Sequence, residues 1–309
     1  MKLFILLTKF LAFLYFHTQK IFKINKKDRF HRSFLIRHTL DLFSKILKSL
    51  NYTLPITITK DMNIVDVDGV LITPGNENRY YKISQDTKYK NQAKYLHDLF
   101  DFSDAEIFID IGACLGEYSI YFAKNFPKSK VYSIEAQPDN LKLLKKNIEL
   151  NKCEKNIKII ENAVSDFTDQ SYYLTNNNAE SEVIIDDKNS DLRSITLSSL
   201  INKEKLNKID FLKVDIEGSN YKVAQCIINN LSKIQHIQYA FEKGPPEIFL
   251  NFVDCLKDFY DFYILDKNEF KIINLNHLKD KTKKIGPTPS NKTCFDLYLK
   301  KKGSKNCPF

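Results

Sequence analysis

The chain has 309 residues and a mass of 36.1 kDa, with 43% hydrophobic and 28% charged residues and only 8 glycines and 9 prolines. That length holds one large domain with an appendage or two modest ones, and the composition excludes collagen-like, linker-like and disulfide-stapled chains. The formal charge of +9 lies wholly in residues 1–50, where eleven Lys or Arg face only Asp28 and Asp41. The body is electroneutral and lacks the basic stripe of a nucleic-acid enzyme, so no nucleic-acid partner is expected.

Residues 1–50 are read as a basic amphipathic helical segment. The apolar run 3–16 is shorter than the ~20 residues of a spanning helix, and Lys9 interrupts it. His17, Thr18, Gln19 and Lys20 offer no small-residue cleavage site. On a helix, Lys2, Lys9, Lys20 and Lys27 share one stripe opposite Leu, Phe and Ile. Two readings stay open: peripheral contact with anionic lipid through residues 1–37, or packing on the protein's own body, which Phe13 and Phe16 beside the stripe favour. Cys114, Cys153, Cys226, Cys255, Cys294 and Cys307 show no C-x-x-C spacing. They read as free thiols of a reducing compartment, and the expected location is cytoplasmic, with or without membrane association.

Residues 51–100 form a small β/helical preface, in which apolar and polar residues alternate from Ile56 to Ile83 around an Asp66-Val67-Asp68-Gly69 turn and a Pro74-Gly75 break. From residue 101 buried strands alternate with amphipathic helices, the pattern of a mostly parallel α/β sheet. Strands are expected at 107–111, 130–135, 157–164, 209–215, 236–242, 261–265 and 293–300, and helices at 117–126, 138–151, 219–233 and 246–259. Residues 167–195 are polar and interrupt the alternation, either as a lid or substrate loop or as a solvated connector. Residues 302–309 are a tail.

The strand Ile107–Ile111, with Asp110, runs into Gly112-Ala113-Cys114-Leu115-Gly116 and then a helix opening at Glu117-Tyr118-Ser119. A glycine turn between strand and helix lets a ligand approach the backbone. Cys114 and Glu117 replace the second and third glycines of the dinucleotide fingerprint, which weakens a nicotinamide-dependent oxidoreductase reading. The next strand ends at Glu135, where a carboxylate can accept both ribose hydroxyls of a nucleoside.

These residues resemble the class I S-adenosylmethionine-dependent methyltransferases, and the later Glu161-Asn162-Ala163-Val164-Ser165-Asp166, Thr196–Leu200 and Ile209–Gly218 segments narrow the resemblance to the FkbM family. It implies a Rossmann-like α/β fold over 101–301, with a mostly parallel seven-stranded sheet flanked by helices. It implies S-adenosylmethionine held by Asp110, Gly112, Gly116, Tyr118, Glu135, Asn162 and Ala163, and methylation of a hydroxyl on a small-molecule or glycan acceptor. Lys213, Asp215, Glu217 and Glu242 stand at two strand ends, where such sheets bind substrates. One carboxylate could act as general base, or Asp215, Glu217 and Glu242 could hold Mg²⁺. Glu217 has a bland reading too, as an acid near a helix start capped by Ser219. The rival from another class is a scaffold that keeps the fold without turnover.

Overall fold

The computed structural model describes residues 56–58, 64–73, 75, 92–167, 170–174, 183–185, 193–216, 218–242, 244–266, 269–283 and 294–303. The expected N-terminal helix, Glu217, Cys307, residues 304–309 of the tail and most of the 167–195 interruption lie outside these residues. The chain divides into two compact units, 1–60 and 61–309; the first contributes one described strand, β1 (Ile56–Ile58). Among the described residues no helix is long and apolar enough to cross a membrane.

The second unit opens with the hairpin β2 (Val65–Val67) and β3 (Val70–Ile72). Asp68 and Gly69 both take positive φ, as a two-residue hairpin turn requires. A 3-10 turn, Gln92–Asp98, follows. Then come β4 (Ile107–Ile111), α1 (Glu117–Asn125), β5 (Lys130–Ile134), α2 (Pro138–Leu150) and β6 (Ile157–Ile160). Short strands β7 (Ala163–Val164), β8 (Tyr172–Leu174), β9 (Val183–Ile185) and β10 (Ser194–Ile195) precede α3 (Leu197–Lys203) and β11 (Ile209–Val214). The chain ends with α4 (Ala224–Ile228), β12 (Ile234–Phe241), α5 (Pro246–Leu256), β13 (Tyr260–Asp266), β14 (Glu269–Ile272), α6 (Leu275–Thr282) and β15 (Phe295–Lys301).

The central sheet runs β14-β13-β15-β12-β11-β4-β5-β6. From β6 to β12 every pair is parallel; β15 enters antiparallel between β12 and β13. The expected count of seven strands is corrected to eight. The addition, β14, is a four-residue edge strand with mostly exposed side chains, so it carries no buried run that a sequence pattern could reveal. The strand expected at 157–164 is also two: after a break at Glu161-Asn162, β7 pairs in parallel with β10 instead of extending the sheet. These two short strands close the base of the 167–195 interruption, in which β8 and β9 pair antiparallel.

The helix expected over 219–233 is broken into a 3-10 turn (Asn220–Val223), α4 and a second 3-10 turn (Leu231–Lys233). Ser219, expected to cap it, makes no side-chain cap bond. Instead the Asn220 side chain accepts from the Ile216 N–H (2.8 Å), and the Asn230 amide donates to the Cys226 carbonyl (2.7 Å), diverting both ends from a continuous helix.

Rings of Phe100, Phe102, Phe108, Phe122, Phe126 and Phe211 pack around β4, the closest pair being Phe108 and Phe122 with stacked centroids 4.2 Å apart. His236 stacks on Phe100 at 4.6 Å, and burial, aided by the Lys300 charge, pushes its imidazole down to about 4. It is a neutral core residue, as its place in a strand suggests. Two asparagines, Asn147 on α2 and Asn151 just past its end, bind the hairpin edge to this core. Asn151 both donates to and accepts from the Leu71 backbone, while fully buried Asn147 accepts from the Thr73 N–H (2.7 Å) and donates to the Leu115 carbonyl in the glycine turn (2.9 Å). Asn147→Ala should leave both backbone groups unpaired and lower unfolding free energy by about 2–4 kcal/mol, read by urea denaturation with an unchanged m-value.

Candidate active site

Gly112 begins the turn after β4 with φ +80, and a Cβ there would lie 1.8 Å from the Asp215 carbonyl oxygen. Only glycine permits this approach of β4's exit to the end of β11. The turn continues through Cys114, also at positive φ, to Gly116 at φ +91, the residue before α1. Across it stands Glu135, 7% exposed. Its Oε2 accepts from the Cys114 N–H (2.8 Å), and its Oε1 from the N–H groups of Ala136 (3.1 Å) and Gln137 (2.8 Å) and the Asn140 amide (3.4 Å). Burial pushes the Glu135 carboxyl up, and these four donors oppose that shift. The glycine turn is thus tied to the acid that the resemblance assigns to a ribose.

A polar row crosses the sheet. Register places Ser133 of β5 beside Asp110 of β4, Asp110 beside Lys213 of β11, Lys213 beside Gln238 of β12, and Gln238 beside Tyr298 of β15. Laterally paired residues face the same side of a sheet, so this is one buried seam. Ser133 donates to Ser119 (2.6 Å), which donates to Asp110 Oδ2 (2.7 Å). Lys213 Nζ lies 3.3 Å from Asp110 Oδ1 and 3.5 Å from Asp215 Oδ2, donates to the Gly112 carbonyl at 3.3 Å, and sits 5.1 Å from the centre of the Tyr118 ring. Burial alone would lower the Lys213 ammonium; Asp110, Asp215 and more distant Asp296 together outweigh it and raise it.

Two residues further along the strands stand Glu135, Gly112, Asp215, Ala240 and Asp296, with Ala240 and Asp296 paired in register. The pleat returns to the same face every second residue, so this second tier lies above the seam at the carboxyl edge of the parallel strands. Asp296 accepts from the Gln238 amide (3.5 Å) and from the Tyr298 hydroxyl. Burial first, then the Asp215 charge, pushes its carboxyl up to about 6, against the opposing pull of Lys213, Gln238 and Tyr298. Sequence reading missed Asp296: its strand returns to the sheet from far along the chain, and no local motif surrounds it.

Of the residues expected at the site, Asp110, Gly112, Gly116, Tyr118, Glu135, Lys213 and Asp215 converge on the turn and seam. Glu242 is drawn elsewhere, its Oε2 accepting from the Gly218 N–H (2.6 Å) and the Asn220 amide (3.2 Å), so that it closes the turn after β11. Asn162 donates its amide to the Arg193 carbonyl (2.8 Å), and Ala163 packs with Tyr172 and Ala136 in a small apolar cluster beside Glu135. The described carboxylates do not form a cation site. Asp215 faces an ammonium, Glu242 faces amide donors, and no group of three potential ligands converges among the described residues. A cavity of about 550 Å³ between Ser165–Phe167, Tyr221 and α5 contains none of the expected residues.

A parallel run β6-β5-β4-β11-β12, closed by an antiparallel strand beside β12, with a glycine turn after β4 and an acid after β5, is the Rossmann-like fold of class I methyltransferases. Residues 110–272, more than half of the chain, match the methyltransferase FkbM domain, and the chain belongs to that family. No curated protein shows significant similarity to it. Among solved structures it is similar to the methyltransferase FkbM of Methylobacillus flagellatus KT, at 13% identity over 72% of this chain and 52% of that one, with a TM-score of 0.39. It also resembles an rRNA methylase of Streptococcus thermophilus (14% identity, 68% and 93% covered, TM-score 0.40). A third is Aeropyrum pernix fibrillarin with natively bound S-adenosyl-L-methionine (13%, 67% and 73%, TM-score 0.36). The family assignment rests on the sequence match, to which these distant structural likenesses add nothing.

The raised Asp296 carboxyl has a consequence for stability. Its proton is held more tightly in the folded than in the unfolded chain, so the folded state is favoured below the ordinary value of 3.8 and loses that advantage as pH rises to about 6. Asp296→Asn, which mimics the neutral form, should therefore stabilise the chain above pH ~6 by about 1–3 kcal/mol and leave it unchanged below pH ~4, measured by denaturation at both ends of that window.

Proposed function

We propose that the chain transfers a methyl group from S-adenosylmethionine to a hydroxyl of a sugar, glycan or related metabolite. The observation that carries this reading is the Glu135 carboxylate fixed against the Gly112–Gly116 turn. S-adenosylmethionine supplies an electrophilic methyl on a sulfonium. Glu135 Oε1 already accepts three donors, so Oε2, with one, receives the ribose hydroxyls. Ala136, partly buried and packed on Ala163 and Tyr172, offers an apolar surface for the adenine beside it, and the Asn162 oxygen accepts from the exocyclic amine. Asp110, Asp215 and Asp296 around one ammonium leave the pocket anionic, which favours a cationic ligand. Asp215, whose side chain is 40% exposed, is placed to orient the acceptor hydroxyl.

Glu135→Gln keeps the size of the side chain and removes its charge. It should weaken S-adenosylmethionine binding about 10- to 100-fold by calorimetry, and unchanged affinity in the folded variant would dismiss the assignment. Peripheral contact with anionic lipid through residues 1–37 accompanies this proposal, supported by the lysine stripe. Deleting residues 1–27 should lower binding to anionic liposomes while cofactor affinity is kept; unfolding of the truncated chain would instead make the segment part of the core.

A further inference from the structure

We propose that Asp296, on the antiparallel strand β15, is the base that takes the proton of the acceptor hydroxyl. The proposal rests on the reading of the chain as an S-adenosylmethionine-dependent methyltransferase. Along the second tier the residues run Glu135, Gly112, Asp215, Ala240, Asp296. The first two belong to the proposed cofactor side, and the last three form a separate stretch. Asp215 and Asp296 are two strand spacings apart, about 10 Å between backbones, with buried Ala240 on the strand between them. The two carboxylates therefore flank β12 at the carboxyl edge of the parallel strands.

The two carboxylates differ in their partners. Asp215 already faces the Lys213 ammonium at 3.5 Å, whereas the groups donating hydrogen bonds to Asp296 are neutral, the Gln238 amide and the Tyr298 hydroxyl. Asp296 as a residue is partly exposed, at the edge of the sheet, while Lys213 and Tyr298 are buried beneath it. The charged and titratable groups around it are Asp215, Lys213 and Tyr298, with Tyr118 beside Tyr298. Its proton affinity, raised to about 6, suits an acceptor of protons near neutral pH better than an ordinary aspartate would.

In the transfer step an oxygen lone pair of the acceptor forms the C–O bond, the electron pair of the breaking S–C bond returns to sulfur, and the hydroxyl proton passes to the Asp296 carboxylate. The pocket loses one positive charge as the sulfonium becomes a neutral thioether. An adjacent carboxylate binds a proton more tightly once that charge has gone, so Asp296 becomes a better base as the reaction proceeds.

The test needs no known acceptor. The full chain is titrated with S-adenosylmethionine and with S-adenosylhomocysteine at about pH 6 in two buffers of different ionisation enthalpy. The sulfonium should expel about 0.3–0.5 proton from wild type and the neutral thioether far less. Asp296→Asn should bind S-adenosylmethionine with that release abolished; release equal to wild type would overturn the proposal. Should that variant not fold, Tyr298→Phe removes a donor to the carboxylate and should move the pH of maximal release upward, and an unmoved maximum counts against Asp296. Wild type that binds no S-adenosylmethionine fails differently, since it removes the cofactor reading itself. With a methyl glycoside that wild type methylates, Asp296→Asn turnover at saturating S-adenosylmethionine should fall about 10²- to 10⁴-fold, and near wild-type turnover would exclude the role.

Discussion

A buried ammonium must be neutralised where it lies, because leaving one uncompensated in a protein interior costs several kcal/mol. Lys213 is 5% exposed at the middle of the sheet, and the surrounding structure meets that demand from three directions. Asp110 answers from the neighbouring strand, Asp215 from two residues along its own, and the Gly112 carbonyl from the turn above. Tyr118 of α1 closes over it with its ring face. The residues that neutralise the lysine are those that shape the ligand edge, so the charge and the geometry of the site are one arrangement.

The same constraint accounts for the glycine turn. Asp110 can be held against Lys213 only if β4 and β11 keep register to their last residues, which brings the Gly112 Cα against the Asp215 carbonyl with no room for a side chain. The turn then presents the Cys114 N–H to Glu135, and Glu135 draws in the N–H groups that begin the connection to α2. Fully buried Asn147 ties this turn to the preceding hairpin. A chain that retained the fold only as a scaffold would have no need to hold a carboxylate, a strained turn and a buried cation in mutual contact, since apolar residues of similar volume are often as stable.

Sequence legibility followed the range of the interactions. Ile107–Ile111 and Ile209–Val214 are buried runs bounded by turn signals, and Gly112, Gly116 and Glu135 belong to a strand-turn-helix-strand unit contiguous in the chain. Glu242 was recognised as a strand-end acid, but its actual partners, the Gly218 N–H and Asn220, could not be told from a solvent-facing pose. The broken 219–233 helix has an apolar pattern compatible with one long helix; Asn220 and Asn230 side chains override it. Asp296 and Ala240 were invisible because their significance is a register, Ala240 against Asp296, between strands that only the folded sheet brings side by side.

That register also explains why an antiparallel strand belongs at the site. Parallel strands all deliver their carboxyl ends to the ligand edge, where each chain turns away into a helix and its last side chains serve the turn, as Glu242 does. A strand running the other way delivers its amino end to the same edge, and its first residues are already fixed by ladder pairing with β12. Asp296 is held in this manner, between the Ala240 pairing of β12 and the body of β15, with Tyr298 beneath it in the buried seam. Its position is therefore set by the sheet rather than by a loop, which is the rigidity that the proposed role of proton acceptor requires.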